Sequence, residues 1–186
     1  MHASWTWYSG CCWRGGGDGS TFECIDQFTY LGSVVSSNNR ISLETSQRLK
    51  KANGCYFGLR KHLRIRAVTR RTKCQLYKTL IRLVLTYGPE TWTLTRAEEK
   101  EILIFERKVL CQGWRESEEA NQRKVYKLFG EGDVMRHIRL GRLCWSGQVG
   151  MPAVGIPRRL LDAVIRDSRE LLSIRSWRAA AQDQAT

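Results

Sequence analysis

The sequence lacks several features that would place it in a common class. It has no run of about 18 apolar residues, so no membrane-spanning helix is predicted. Residues 1–19 contain no apolar stretch of the kind found in signal peptides, so we expect an intracellular protein, with the nucleus and the cytoplasm both open. The seven cysteines form no CxxC pair, which argues against a zinc knuckle and a disulfide framework.

The residues that usually carry catalysis are also scarce. The three histidines, His2, His62 and His137, match no metal-ligand spacing and no pattern of a cysteine nucleophile. The glycine-rich run at 15–19 follows no predicted strand and opens no helix, so it is not a phosphate-binding loop. The sequence therefore predicts no catalytic residue, no cofactor and no metal site.

Positive charge, in contrast, is abundant. The chain has 31 Lys and Arg against 18 Asp and Glu, a net charge of +13, which favours nucleic acid as the partner over a membrane surface. Thirteen of these cations lie between Arg40 and Arg82 with a single acid, Glu44. A solvated helix face normally mixes both signs, so this segment predicts a phosphate-binding surface. The candidate contacts are Arg48, Lys51, Arg60, Lys61, Arg64, Arg66, Arg70, Arg71 and Lys73.

Hydrophobic periodicity predicts a mostly α fold with a short N-terminal β-hairpin. Residues 1–19 have no period and are predicted to be an unstructured leader. Residues 20–38 are predicted to form the hairpin, from the segments TFECI and FTYLGSVV, which alternate apolar and polar residues on either side of Asp26 and Gln27.

Residues 39–113 predict three helices. The first is capped by Ser42 and ends near Leu63, the second starts at Thr69, and the third starts with a capping box from Thr95 to Glu98. Their predicted inward positions are Leu49, Ala52, Tyr56, Leu59 and Leu63 in the first, Leu76, Tyr77, Leu80, Ile81 and Val84 in the second, and Ile102, Phe105, Val109 and Leu110 in the third.

Residues 114–186 predict a helical tail. A short helix ends at Leu128, another runs from about Asp133 to Gln148, and a third from about Pro157 to Leu172. Residues 151–157 hold two of the three prolines and predict a linker, and Ser176 starts a last short helix.

Three segments, in the same order along the chain, resemble a known family. FTYLGSVVSSNNRI, RRTKCQLYKTLIRLVLTYGPETWTLT and EILIFERKVL resemble the region downstream of the palm in non-LTR (LINE-type) retrotransposon reverse transcriptases of animals. The resemblance covers about residues 20–186. It implies a primer-grip-like hairpin at Phe28, Tyr30, Leu31 and Gly32, a helical thumb over 39–113 and the family's C-terminal tail from 114 onwards.

The same resemblance implies that the chain is not an enzyme by itself. In this family the aspartates that bind two metal ions lie in the palm, upstream of the primer grip. Only 27 residues precede Phe28 here, and they contain no Asp-Asp pair. We therefore expect a fragment of an RNA-directed DNA polymerase that binds RNA, DNA or their hybrid through phosphates, without sequence specificity.

Two alternatives stay open at this stage. The chain could be an inert retrotransposon-derived fragment with no selected function, which predicts no cooperative thermal melt. It could instead be a helical interaction module whose leucine-rich stripes pair with another protein, which does not require salt-dependent binding of nucleic acid.

Overall fold

A computed structural model describes residues 25–38, 41–114, 126, 129–130, 132–149 and 158–173. The chain divides into two compact units, Met1–Arg40 and Ile41–Thr186. The described part of the first unit is a β-hairpin, and that of the second is helical. This confirms the predicted fold class. The predictions for the leader, for the linker at 151–157 and for the helix after Ser176 fall outside the described residues.

The hairpin consists of β1, Gln27–Tyr30, and β2, Ser33–Ser36. The strands are antiparallel, and Phe28 lies opposite Val35 in the register. Phe28 and Val35 are 51% and 40% exposed, so this cross-strand pair stabilises the hairpin without forming a closed core.

The turn of the hairpin differs from the predicted one. Leu31 and Gly32 connect the strands with φ angles of 47° and 82°, the two left-handed positions of a type I′ turn. Asp26 and Gln27 were predicted between the strands, and this is wrong, because Gln27 already pairs with Ser36 in β1. The glycine at 32 supplies the positive φ that the actual turn needs.

Helix α1 spans Ser42–Arg64, close to its predicted bounds. Ala52, Tyr56 and Leu63 are buried on its inner face, as the apolar stripe predicted. The predicted cap is wrong, because Ile41 occupies the cap position and no side chain caps the helix there. Ser42 is the first helical residue instead.

Helix α2, Arg70–Leu76, begins where predicted. The Thr69 hydroxyl accepts a hydrogen bond from the Thr72 backbone N–H at 3.2 Å, so Thr69 is the N-cap of the helix. The helix continues as a π-helical segment, Tyr77–Arg82, and ends in one α turn, α3, Leu83–Leu85.

The π-helical segment changes which residues face inward. Tyr77, Ile81 and Leu85 are buried, whereas Leu80, which was predicted on the same face, is 44% exposed. A π-helix closes i→i+5 hydrogen bonds, so its turn is wider than that of the α-helix on which the prediction rested. The wider turn brings Leu80 to the outside.

After α3 the chain turns at Gly88, whose φ is 63°, and forms a 3-10 helix, Pro89–Thr91. Helix α4, Arg96–Trp114, then starts with the predicted capping box. The Glu98 N–H donates to Thr95 Oγ1 at 3.4 Å, and the Thr95 N–H donates to Glu98 Oε2 at 2.7 Å.

Two further helices follow in the second unit, α5, Val134–Val149, and α6, Arg158–Leu172. Helix α1 packs against α4, and α5 packs against the 3-10 helix, α4 and α6. The main core consists of Ala52, Tyr56, Leu63, Tyr77, Ile81, Leu85, Trp92, Ile102, Phe105, Val109, Leu110, Cys111, Phe129, Val134, Met135 and Ile138. The four inward positions predicted for α4 are among them.

Candidate nucleic-acid interface

Most of the predicted contact residues lie on the surface of one continuous stretch of chain. It comprises the outer side of α1, residues 65–69 that connect this helix to α2, and the first turn of α2. We call these residues the basic surface. Its members are Lys51, Lys61, Arg64, Arg66, Arg70 and Arg71, which are exposed, and Arg60, which is half-buried.

Arg48 does not belong to this surface. Its Nε lies 2.6 Å from Glu44 Oε1, and its guanidinium lies 4.5 Å from the centre of the Tyr87 ring. The side chain is 6% exposed, so the ion pair and the cation–π contact hold α1 against the turn after α3. Arg48 therefore has a structural role, and phosphates cannot reach it as they can the exposed cations.

Lys73 is also buried, with 9% of its surface exposed. It lies one turn into α2, on the side of the helix that also carries Tyr77. The predicted contact set is thus reduced from nine residues to seven by burial, which the amino-acid sequence does not display.

The basic surface lies in a long acid-free stretch. Between Glu44 and Glu90 the sequence contains no Asp and no Glu. Like charges at this density repel one another, and they attract polyanions over about 8 to 10 Å at moderate salt. Such a surface can hold phosphate groups of a nucleic acid backbone.

The primer-grip-like residues lie in the hairpin, which is a separate unit. Phe28, Tyr30 and Leu31 are 51%, 62% and 74% exposed. Phe28 and Tyr30 are two residues apart on one strand and so share a face. The hairpin thus presents two exposed aromatic rings beside its turn, with Gly32 in the turn itself.

A buried polar cluster in the helical unit was not predicted. Glu106 Oε1 accepts a hydrogen bond from the Tyr77 hydroxyl at 2.7 Å, and Oε2 accepts from the Tyr126 hydroxyl at 2.8 Å and the Val134 N–H at 2.9 Å. The only sequence signal was a charged residue beside Phe105 within the apolar face of α4.

The environment of this cluster shifts its titration. Burial raises the pKa of Glu106, although its three hydrogen bonds oppose the shift. Burial also raises the pKa of Tyr77 and that of Tyr126, and the nearby negative charge of Glu106 adds to both shifts. The tyrosines therefore act as hydrogen-bond donors that hold α4 to the π-helical segment and to the start of α5.

A second buried cluster joins α5 and α6. Arg142 Nη1 donates to Asp167 Oδ2 at 2.6 Å, and Arg142 Nη2 donates to the Trp92 carbonyl at 2.7 Å. Arg139 and Arg166 each approach Asp167 Oδ1 to 3.8 Å. Burial lowers the pKa of Arg142 and raises that of Asp167, and in each case the opposite charge of the partner acts against the shift.

The described part of the chain shows neither a metal site nor a membrane-spanning helix. Among the described residues, no group of His, Cys, Asp and Glu side chains could hold a metal ion. No helix within the described ranges is long and apolar enough to cross a bilayer.

Comparison with known proteins gives one informative similarity. No protein-family model and no solved structure matches the chain. The chain is similar to the uncharacterized transposon-derived protein F52C9.6 of Caenorhabditis elegans, with 22% identity over 131 residues. The match covers 67% of this chain and 47% of that protein, so the chain spans about half the length of its relative. This similarity indicates a transposon origin.

Proposed function

We propose that the chain is a remnant of a non-LTR retrotransposon reverse transcriptase that binds RNA, DNA or their hybrid without sequence specificity and does not polymerise by itself. The observation that carries this proposal is the basic surface, which combines exposed cations with an acid-free stretch of 45 residues between Glu44 and Glu90. The similarity to a transposon-derived protein supports the element of origin. The family assignment rests on the segments that resemble the thumb and primer grip.

The proposed contact is electrostatic. Lys and Arg side chains that meet phosphates release condensed counterions, and this release drives binding of any sequence. If about five cations of the basic surface contact a single strand, log K falls with log salt with a slope of roughly 3 to 4. The loss of affinity with added salt is therefore the signature of the proposed activity.

The alternative of a helical interaction module is less favoured, because the stripes it would use are occupied. Ala52, Tyr56 and Leu63 of α1 and Ile102 and Val109 of α4 are buried within the chain's own core. The alternative of an inert fragment differs from the proposal in two measurable ways, since it predicts neither a cooperative melt nor specific loss of binding when the basic surface is neutralised.

The experiment is a binding titration of the full chain on a labelled RNA/DNA primer–template at several salt concentrations. The variant changes six residues of the basic surface to Gln, namely Arg60, Lys61, Arg64, Arg66, Arg70 and Arg71. We expect wild-type affinity to fall steeply with salt, and the variant to lose most of its affinity and most of its salt slope. A primer-extension reaction with the same sample should give no product.

A matched control separates position from net charge. It changes six exposed cations outside the basic surface to Gln, namely Arg96, Lys100, Lys108, Arg136, Arg158 and Arg159. Both variants lose the same charge, so the control should retain much more affinity. Equal loss in the two variants, or no salt-dependent binding by a cooperatively folded wild type, would contradict the proposal.

A further inference from the structure

An aromatic ring lies in the middle of the outer face of α1. Phe57 is 61% exposed, although the neighbouring Tyr56 is buried in the core. Lys50, Gly54, Phe57, Lys61 and Arg64 recur at steps of four and three and so form one stripe along the helix, about 21 Å long at 1.5 Å per residue. All five positions are exposed. The ring therefore has cations on both sides along the same face.

The Tyr56 ring lies 5.6 Å from the Phe57 ring, centre to centre, and the helix surface at the two nearby glycines is open. A Cβ atom built at Gly54 or Gly58 would meet nothing within 4 Å, so neither glycine is required by packing inside the chain. Each costs roughly 0.5 to 1 kcal/mol relative to Ala in the interior of a helix. As a result, a flat group can approach the face of the Phe57 ring without meeting a neighbouring side chain at these two positions.

We propose that Phe57 is a base-stacking position, on which an unpaired base of single-stranded nucleic acid lies while Lys50, Lys61 and Arg64 contact the phosphates. This inference rests on the proposed function and specifies its substrate class. A stacked aromatic ring needs the free face of a base, which a single strand offers and the interior of a duplex does not. Single strands are bound in this way by grooves that combine positive charge with aromatic side chains.

The charge of the stripe decides between possible occupants. A single exposed apolar side chain is common on protein surfaces and needs no partner. A protein partner with an apolar patch could cover Phe57. The edge of that patch would then have to lie against at least three cations of this chain. A polyanion with flat apolar bases satisfies the ring and the cations together.

The test compares a single-stranded oligonucleotide with a duplex of the same length, by fluorescence anisotropy with the full chain. Phe57→Leu keeps an apolar side chain but removes the ring, and Phe57→Tyr restores one. We expect Phe57→Leu to bind the single strand roughly 5- to 100-fold more weakly, which corresponds to about 1 to 3 kcal/mol for one stacked base. Its duplex affinity and its salt slope should stay at the wild-type values, and Phe57→Tyr should recover single-strand affinity.

Two controls make the result specific. Ile104→Ala removes an exposed apolar side chain from α4, where the wild-type side chain is 45% exposed, and should leave binding unchanged. An abasic oligonucleotide keeps the phosphates without the bases, so wild type and Phe57→Leu should bind it equally.

The outcomes distinguish this inference from the proposed function. If wild type and Phe57→Leu bind the single strand equally well, and the six-site variant of the basic surface binds weakly, the stacking inference is overturned and the proposed function stands. An equal loss on single strand and duplex also overturns it. If the wild type shows no salt-dependent binding, both proposals fail.

Discussion

The basic surface and the α5–α6 interface use arginine in opposite ways. At the interface, Arg139 and Arg142 lie within reach of Asp167, and Arg139 also pairs with Glu170 at 2.8 Å. Along the basic surface, the sequence offers no acid between Glu44 and Glu90. The same type of side chain therefore stabilises the fold in one region and leaves a charged surface in the other.

This difference shows that net charge alone does not locate a binding surface. Of the nine cations predicted as contacts, Arg48 has its own carboxylate partner and Lys73 is buried. Only cations that are both exposed and remote from acids in the sequence keep the field that attracts phosphate. The α5–α6 interface should accordingly matter for stability, and the basic surface for binding.

The largest expected effect comes from the α5–α6 interface, where arginines are paired with acidic side chains. Asp167→Asn leaves Arg142 as an uncompensated buried charge, which should lower the free energy of unfolding by about 3 to 5 kcal/mol. Denaturant unfolding followed by circular dichroism measures it. Glu170→Gln is the control, since its side chain is 51% exposed and its pair with Arg139 should contribute less than about 1 kcal/mol. A loss of equal size in both variants would mean that burial does not govern these pairs.

A second expected effect depends on pH. The pKa of Glu106 in the folded chain lies above its ordinary value of 4.5, so the folded state binds this proton more tightly than the unfolded state. Its contribution to stability is fully present below the unfolded pKa and is lost as pH rises through the folded pKa, with about 1.4 kcal/mol for each tenfold difference in proton affinity.

Glu106→Gln removes this titration and keeps the shape of the side chain. We expect the stability of the wild type relative to the variant to fall as pH rises above 4.5, and to level off above the folded pKa. Unfolding midpoints in urea at several pH values measure the difference. Glu101→Gln, at an exposed position of α4, removes the same charge from the helix surface and is the matched control. A flat difference for Glu106→Gln would show that its hydrogen bonds cancel the effect of burial.

The smallest expected effect concerns the stability of α1, whose outer face carries part of the basic surface. Gly54→Ala should raise the free energy of unfolding by roughly 0.5 to 1 kcal/mol, because its Cβ enters open space on a helix. Gly88→Ala is the control of opposite sign, because φ is 63° there and a side chain is strained by about 1 to 2 kcal/mol. In thermal melts, the melting temperature should rise for Gly54→Ala and fall for Gly88→Ala. A destabilised Gly54→Ala would mean that the outer face of α1 packs against something within the chain.

The elements that the sequence predicted correctly carry short-range signals. Thr69 caps α2 and Thr95 begins the capping box of α4, since each hydroxyl needs only a backbone N–H three residues away. The stripe through Ala52 and Tyr56 is likewise set by the period of α1 alone. Such features can be predicted without knowledge of the tertiary structure.

The missed features depend on local exceptions or on distant residues. Leu31 adopts a positive φ next to Gly32, which a β-propensity pattern does not signal. The partners of Glu106 lie 20 to 29 residues away in sequence, and Arg142 reaches Asp167 across 25 residues. Arg48 could have been found, because Glu44 precedes it by four residues, the usual spacing of a helical ion pair.

The π-helical segment also has a consequence for insertions and deletions. An i→i+5 turn contains one more residue than an i→i+4 turn, so this stretch holds an additional residue without displacing the helix on either side. Tyr77 before it keeps its bond to Glu106, and Leu85 after it keeps its place in the core. Removal of one residue such as Leu80 would allow a regular α-helix and would keep Leu85 on the same face as Tyr77, because seven residues make almost two full α-helical turns. The π-helical segment should therefore tolerate the loss of one residue, with Tyr77 and Leu85 both kept in the core.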